Sequence, residues 1–178
     1  MKKLLLAAIV MLFTFSANAQ DGQFNIGTNF GLPVGDASDV ASFTLGAEVN
    51  YLFSVSDDFK VGPSLSYVHY TGKEVDITQG ISLPGLDLGS LGTVELDDSG
   101  FLPLAAAARY NVSDSFAFGL DLGYAIGVSP EGNDGGFYYR PLMGYHISEK
   151  IMLQATYSGV SVEGGSFSNI GLGVMFAL

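Results

Sequence analysis

The chain contains no cysteine and no tryptophan, and 18 acidic side chains face only 7 basic ones. Without cysteine there is no disulfide, no thiolate metal site and no N-terminal cysteine for lipid attachment. A net charge of -11 argues against a nucleic-acid binder, which needs Lys and Arg to displace counterions from phosphates. Charged residues make up 14% and apolar ones 48% of the 178 residues, a balance that excludes a disordered chain. The length allows one domain and at most a small second one.

Long apolar runs are also scarce. One stands at the N-terminus, where Met1-Lys2-Lys3 precedes Leu4 to Phe15 and then Ser16-Ala17-Asn18-Ala19-Gln20. A basic start, a short apolar core and an A-x-A site describe a secretory signal, and the run is too short to span a bilayer as a helix. Cleavage is expected after Ala19, leaving a domain over 20–178. That domain has lost Lys2 and Lys3, so it carries 5 basic against 18 acidic side chains, a net of -13. Its longest uncharged stretch, Gly164 to Leu178, is broken by Ser166, Ser168, Asn169 and glycines. No helix can span, and a closed barrel is the one spanning option left.

The periodicity is two. Phe43, Leu45, Ala47, Val49, Tyr51, Phe53 and Val55 alternate with Thr44, Gly46, Glu48, Asn50, Leu52 and Ser54. Phe116, Phe118, Leu120, Leu122, Tyr124, Ile126 and Val128 alternate with Ala117, Gly119, Asp121, Gly123, Ala125 and Gly127. One face is apolar and the other small or polar, the pattern of strands. Six further segments follow it less cleanly: 24–32, 59–73, 101–112, 137–147, 151–159 and 166–178. Pro63, Pro103 and Pro141 each remove a ladder donor inside such a segment.

A weak repeat sets the topology. Val55-Ser56-Asp57-Asp58-Phe59, Val112-Ser113-Asp114-Ser115-Phe116 and Ile147-Ser148-Glu149-Lys150-Ile151 each follow a Tyr and share one plan: Val or Ile, Ser, an acid, one residue, an apolar restart. These read as tight turns whose side chains bond their own backbone. The other connections, 33–42, 74–100, 129–136 and 161–165, read as longer loops. Short turns on one rim and longer loops on the other are the asymmetry of a bacterial outer-membrane barrel. Eight strands of ~10 residues use about half of the domain, whereas twelve would leave too little chain for a 27-residue loop over 74–100. The fold class expected is therefore all-β: an eight-stranded antiparallel up-and-down transmembrane β-barrel.

With its Ala-Asn-Ala-Gln signal, its repeated Tyr-x-Val-Ser-Asp turns and a final strand from Ile170 to Leu178, the chain resembles the small outer-membrane β-barrel proteins of Gram-negative bacteria, the porin-like and OmpA/OmpX-like eight-stranded group. Members commonly end on an aromatic residue; here Phe176 sits two positions before Leu178, on the same face. The resemblance implies a cell outer membrane location and, as partners, outer-membrane lipid, lipopolysaccharide and the barrel assembly machinery, which reads the C-terminal strand. It implies a monomer, with no nucleic acid bound.

Parity places Glu48, Lys60, Arg109, Asp121, Arg140 and His146 inside. Ions of both signs in a narrow lumen cost less when paired, so Glu48, Lys60, Arg109, Asp121 and Arg140 are expected to form a lumen charge network, with Arg109 diagonal to Asp121 across the Ser113 turn. Glycines on the same face favour close packing. Tyr51, Phe53, Tyr110, Phe116, Tyr145 and Phe176 are expected as an aromatic girdle near the short turns, and Phe43, Tyr67, Tyr124, Phe137, Tyr139 and Tyr157 as a second belt at the other ends. Leu122→Arg, outward, should be costly and Gly123→Ser, inward, mild.

No enzyme is expected. His146 lies at the short-turn rim, His69 points to the interface, and no Gly-x-Ser-x-Gly motif occurs. Glu95, Asp97 and Asp98 match no calcium-loop spacing, so no cofactor or metal is expected. The function expected is that of a non-enzymatic integral outer-membrane protein with a structural or surface-interaction role. Its alternatives are a narrow pore for small solutes and a soluble, exported, lipocalin-like carrier.

Overall fold

The computed structural model describes residues 22–76 and 93–178. Along them run β1 (Gly22–Val34), α1 (Ala37–Val40), β2 (Ala41–Ser54), β3 (Phe59–Gly72), β4 (Glu74–Asp76), β5 (Thr93–Glu95), β6 (Ser99–Asn111), β7 (Phe116–Ser129), β8 (Gly136–Ser148), β9 (Ile151–Val162) and β10 (Gly165–Ala177). Eight of the strands close into an antiparallel barrel in the order β1-β10-β9-β8-β7-β6-β3-β2. Closure pairs Ile26 of β1 with Phe176 of β10 and leaves no free edge. The expected leader and its cleavage after Ala19 lie outside the described residues.

The three short turns owe their form to the repeated serine. Ser56 Oγ accepts the Phe59 N–H at 3.1 Å, Ser113 Oγ accepts those of Phe116 (3.2 Å) and Ser115 (3.4 Å), and Ser148 Oγ accepts that of Lys150 (3.3 Å). Each hydroxyl satisfies a donor that the ladder cannot reach. At the opposite rim the connections differ in kind. The 35–40 segment carries α1 and buries Ala37. β4 and β5 pair Glu74 with Glu95 and Asp76 with Thr93, continuing the β3–β6 hairpin past the rim. The 161–165 connection is not a longer loop: Val162 pairs with Gly165, and Gly164 at φ +85° supplies the left-handed residue of a two-residue turn.

Pro63, Pro103 and Pro141 all stand within the barrel wall. Pro63 lies opposite Ala106, Pro103 opposite Ala125 and Pro141 opposite Leu120. The β8–β9 ladder skips Arg140 and Pro141, the local cost of the missing donor.

Burial is inverted relative to a water-soluble domain. On β2, Thr44, Glu48, Asn50 and Leu52 are buried while Phe43, Leu45 and Tyr51 are exposed, and β7 exposes Phe118, Leu120, Leu122 and Tyr124 while burying Asp121. Exposure reaches 66% at Phe30 and Leu32 and 71% at Leu172. So large an apolar surface belongs in hydrocarbon, and it excludes the lipocalin-like arrangement, which needs those side chains inside.

Depth then decides what an outward charge costs. Leu122 sits mid-strand between Ala106 and Tyr139. Leu122→Arg should lower stability in vesicles by about 2–4 kcal/mol, and Val128→Arg, near the rim, by at most about 1. Equal penalties in urea titrations would show that depth is not what distinguishes the two positions. Gly123→Ser is not the mild counterpart that parity suggests. A Cβ there would lie 2.6 Å from Ala105 Cα and closer still to the Leu104 carbonyl oxygen, so the added atom would push β6 away.

Candidate functional site

At mid-height the lumen is crossed by charges. Register places Asp121 (β7) directly opposite Arg140 (β8), and Arg109 (β6) opposite Gly119, two residues along from Asp121. Arg140 Nε and Nη2 both donate to Asp121 Oδ2, at 3.0 and 2.5 Å. Arg109 pairs with the same carboxylate, Nη1 with Oδ1 and Nη2 with Oδ2 at 3.4 Å. Across the lumen Arg140 Nη1 pairs with Glu48 of β2, whose Oε1 also accepts the Gln154 Nε2–H at 3.0 Å. The order Glu48, Arg140, Asp121, Arg109 alternates in sign and sums to zero. All four are buried, Asp121 to 0% exposure. Such a set is tolerable out of water because every ion has a counter-ion and hydrogen bonds. Gly119 makes the room: a Cβ there would stand 2.7 Å from Arg109 Cδ.

Lys60, expected in this network, stands apart from it. It lies opposite Arg109 at the short-turn end of β3, and its ammonium donates to Gln23 Oε1 at 3.2 Å. A like charge beside it and a flexible stem both favour turning away. His146 lines the same end of the lumen.

Above the charges an aromatic cluster fills the lumen. Tyr70, Phe101 and Phe167 form a cluster with centroids 5.1 to 5.9 Å apart, two of the three pairs edge-to-face. Val68, Tyr138, Val160 and Ala37 of α1 pack into the same core. Tyr70 Oη donates to the Phe167 carbonyl (3.2 Å) and accepts from Asn169 Nδ2 (2.9 Å), which also reaches Ser158 Oγ (2.8 Å). These residues were missed as lumen residues because aromatics on this chain read as belts. The signal was present: Tyr70 shares the even parity of Lys60, Phe101 the odd parity of Arg109, and Tyr138 the even parity of Arg140.

Of the girdle positions, Tyr51, Tyr110, Phe116, Tyr145 and Phe176 are exposed on the outer wall and Phe53 is half-exposed. Tyr51 meets Phe53 at 4.9 Å and Phe116 meets Tyr145 at 5.0 Å. At the loop end Tyr139 lies between Phe137 (6.3 Å) and Tyr157 (6.0 Å). His69 is held there between Tyr67 Oη (3.3 Å) and Asp98 Oδ2 (3.1 Å), and Asp98 Oδ1 accepts the Gly72 N–H at 2.8 Å. Asp98 thus fastens the base of the β4–β5 hairpin and has both oxygens engaged, a poor partner for Glu95 and Asp97 on a cation.

A family model described as outer membrane protein beta-barrel domain matches residues 4–177. No curated protein sequence matches the chain. Among solved structures it is similar to the outer membrane protein Ail of Yersinia pestis in a phospholipid bilayer nanodisc, at 12% identity over 89% of this chain and 100% of that one, TM-score 0.58. It is similar to Ail in complex with the heparin analogue sucrose octasulfate, at 13% identity over 88% and 97%, TM-score 0.54. The N-terminal β-barrel domain of Pseudomonas aeruginosa OprF is likewise similar, at 18% identity over 89% and 100%, TM-score 0.51. At these identities the likeness is one of fold.

Proposed function

The chain belongs to the outer membrane protein β-barrel domain family, and from that premise we propose a non-enzymatic outer-membrane protein with a shut lumen, whose role is structural or surface-interacting. The observation that carries this reading is the filling of the barrel: a neutral ion chain crosses it at mid-height and an aromatic core occupies the half above. In the same reading the leader 1–19 is removed on export and the barrel assembly machinery reads the β10 strand. The apolar band then sits as a monomer among lipid and lipopolysaccharide. Planar-bilayer recording tests the lumen. The mature protein should give no reproducible single-channel steps, and steps well above the bare membrane would favour the narrow pore instead.

The rim that bears the longer connections faces outward in such barrels. Its described acids are Asp36, Asp39, Glu74, Glu95, Asp97, Asp98, Glu131, Asp134 and Glu163, against Lys73 as the one cation among the described residues. Lys73 Nζ is itself held by the Ser38 carbonyl at 2.5 Å. A surface of this sign repels polyanions. Unlike Ail, crystallised with a heparin analogue, the folded protein should pass through a heparin column at about 0.15 M salt, where only close charges still act. Retention that salt reverses would show that its surface partners are polyanionic after all.

A further inference from the structure

The end of the lumen beneath the ion chain is neither filled nor neutral. A cavity of about 60 Å³ opens there toward the short turns, with Leu52, Met152 and Met175 as its apolar wall and Lys60, Lys150 and His146 among its polar groups. Outside the leader the sequence has five Lys and Arg residues, and three of them, Lys60, Arg109 and Lys150, line this one cavity. Arg109 is neutralised by Asp121. Among the described residues neither Lys60 nor Lys150 has a carboxylate within 4.0 Å, and Lys60 has only the amide oxygen of Gln23. Glu149, the one acid in the wall, belongs to an exposed turn.

A cationic group at the mouth of a low-dielectric lumen attracts an anion more strongly than it would in water. The apolar wall below adds a preference for an alkyl tail. The size is set by the space: a water-sized atom needs at least about 10–15 Å³ of such a cavity, so some four to six non-hydrogen atoms fit. We propose that this inner mouth is a binding site for a short-chain carboxylate of about the size of butyrate, held by Lys60 with Lys150 near, its tail against Met152 and Met175. Because the aromatic core shuts the barrel above, the ligand enters and leaves from the periplasmic side. The site is one of binding, not of passage.

The methionines supply the test. Beyond the leader the chain has three: Met152 and Met175 in the cavity wall, and Met143 exposed on the outer wall. With methionine methyls labelled in ¹³C, the mature protein in phosphatidylcholine nanodiscs is titrated with butyrate and, in parallel, with the uncharged butyramide. Met152 and Met175 should shift saturably with a Kd of about 1 mM, within reach of six non-hydrogen atoms, while Met143 stays still and butyramide does nothing. Lys60→Gln should raise Kd about tenfold or more, since an ion pair with the carboxylate becomes a hydrogen bond from an uncharged amide. Lys60→Arg should bind nearly as the native chain does. All three methyls moving together, butyramide acting as butyrate does, or an unchanged Kd in Lys60→Gln would each overturn the proposal. Were Lys60→Gln not to fold, Lys150→Gln decides in the same way: unaltered binding counts against the site.

Discussion

Replacing Asp121 by Asn should weaken the barrel by about 3–5 kcal/mol in urea-driven unfolding from lipid vesicles, the cost of stranding a buried charge. Asp121 is the shared anion of two guanidinium groups. Its loss leaves Arg140 with Glu48 but leaves Arg109 with only the Ala108 carbonyl, which its Nη1 reaches at 2.9 Å. The second substitution therefore matters more than the first. Asp121→Asn with Arg109→Gln removes the stranded cation and keeps Glu48–Arg140 intact, so it should be more stable than Asp121→Asn alone. Asp121→Asn with Arg140→Gln has the same net charge yet strands both Glu48 and Arg109, and should be no better than the single change. Equal recovery by the two doubles, or additive penalties throughout, would mean that net lumen charge matters and the pairing does not. Such coupling is expected only between groups that touch or share a partner.

How much of this network could be read beforehand depends on what lies between the partners. Arg109 and Asp121 flank a short turn whose first rung, Asn111 opposite Ala117, follows from the turn itself. Counting outward in twos from that rung gives their diagonal. Asp121 and Arg140 are joined by the 130–135 connection, whose turn type, needed to fix the ladder register, is not legible from its residues. That Glu48 meets Arg140 depends on barrel closure, since β2 and β8 are not neighbours. Parity put all of them inside and the Ser113 turn set Arg109 beside Asp121; only three-dimensional stagger brought in Arg140 and Glu48. Lys60 shows the limit from the other side, because parity fixes where Cβ points and says nothing of where a four-carbon stem ends.

The strands themselves were legible for a plain reason: in a barrel in lipid both faces are under constraint, one by hydrocarbon and one by a narrow interior, so alternation is kept along the whole strand. Turns were legible where side chains make them, as at Ser56 and Ser113. The 161–165 connection was misjudged because Ser161 and Val162 look like loop residues beside Glu163-Gly164-Gly165, yet both extend β9. A glycine pair marks a reversal without saying which of the two takes the positive φ, and Gly164 does.

Phe101→Ala should cost about 3–5 kcal/mol, as large as any loss expected in this barrel outside the ion chain, because a fully buried ring is replaced by a void that its neighbours cannot close. Phe101 is 0% exposed and stands 5.9 Å from Tyr70 and 5.1 Å from Phe167 by ring centroids. Tyr70 is held in place by Asn169 and the Phe167 carbonyl, so it is not free to move into the gap. Phe101→Leu keeps most of the apolar volume and should cost less than half as much, the difference measuring ring packing over simple hydrophobicity. Neither variant should conduct in planar bilayers. The void is walled by apolar groups and stays dry, and the chain from Glu48 to Arg109 still crosses the lumen below it. A loss under about 1 kcal/mol would mean that the rings do not pack as a core. Single-channel steps in Phe101→Ala alone would show that the aromatic layer, and not the ions, is what shuts the barrel.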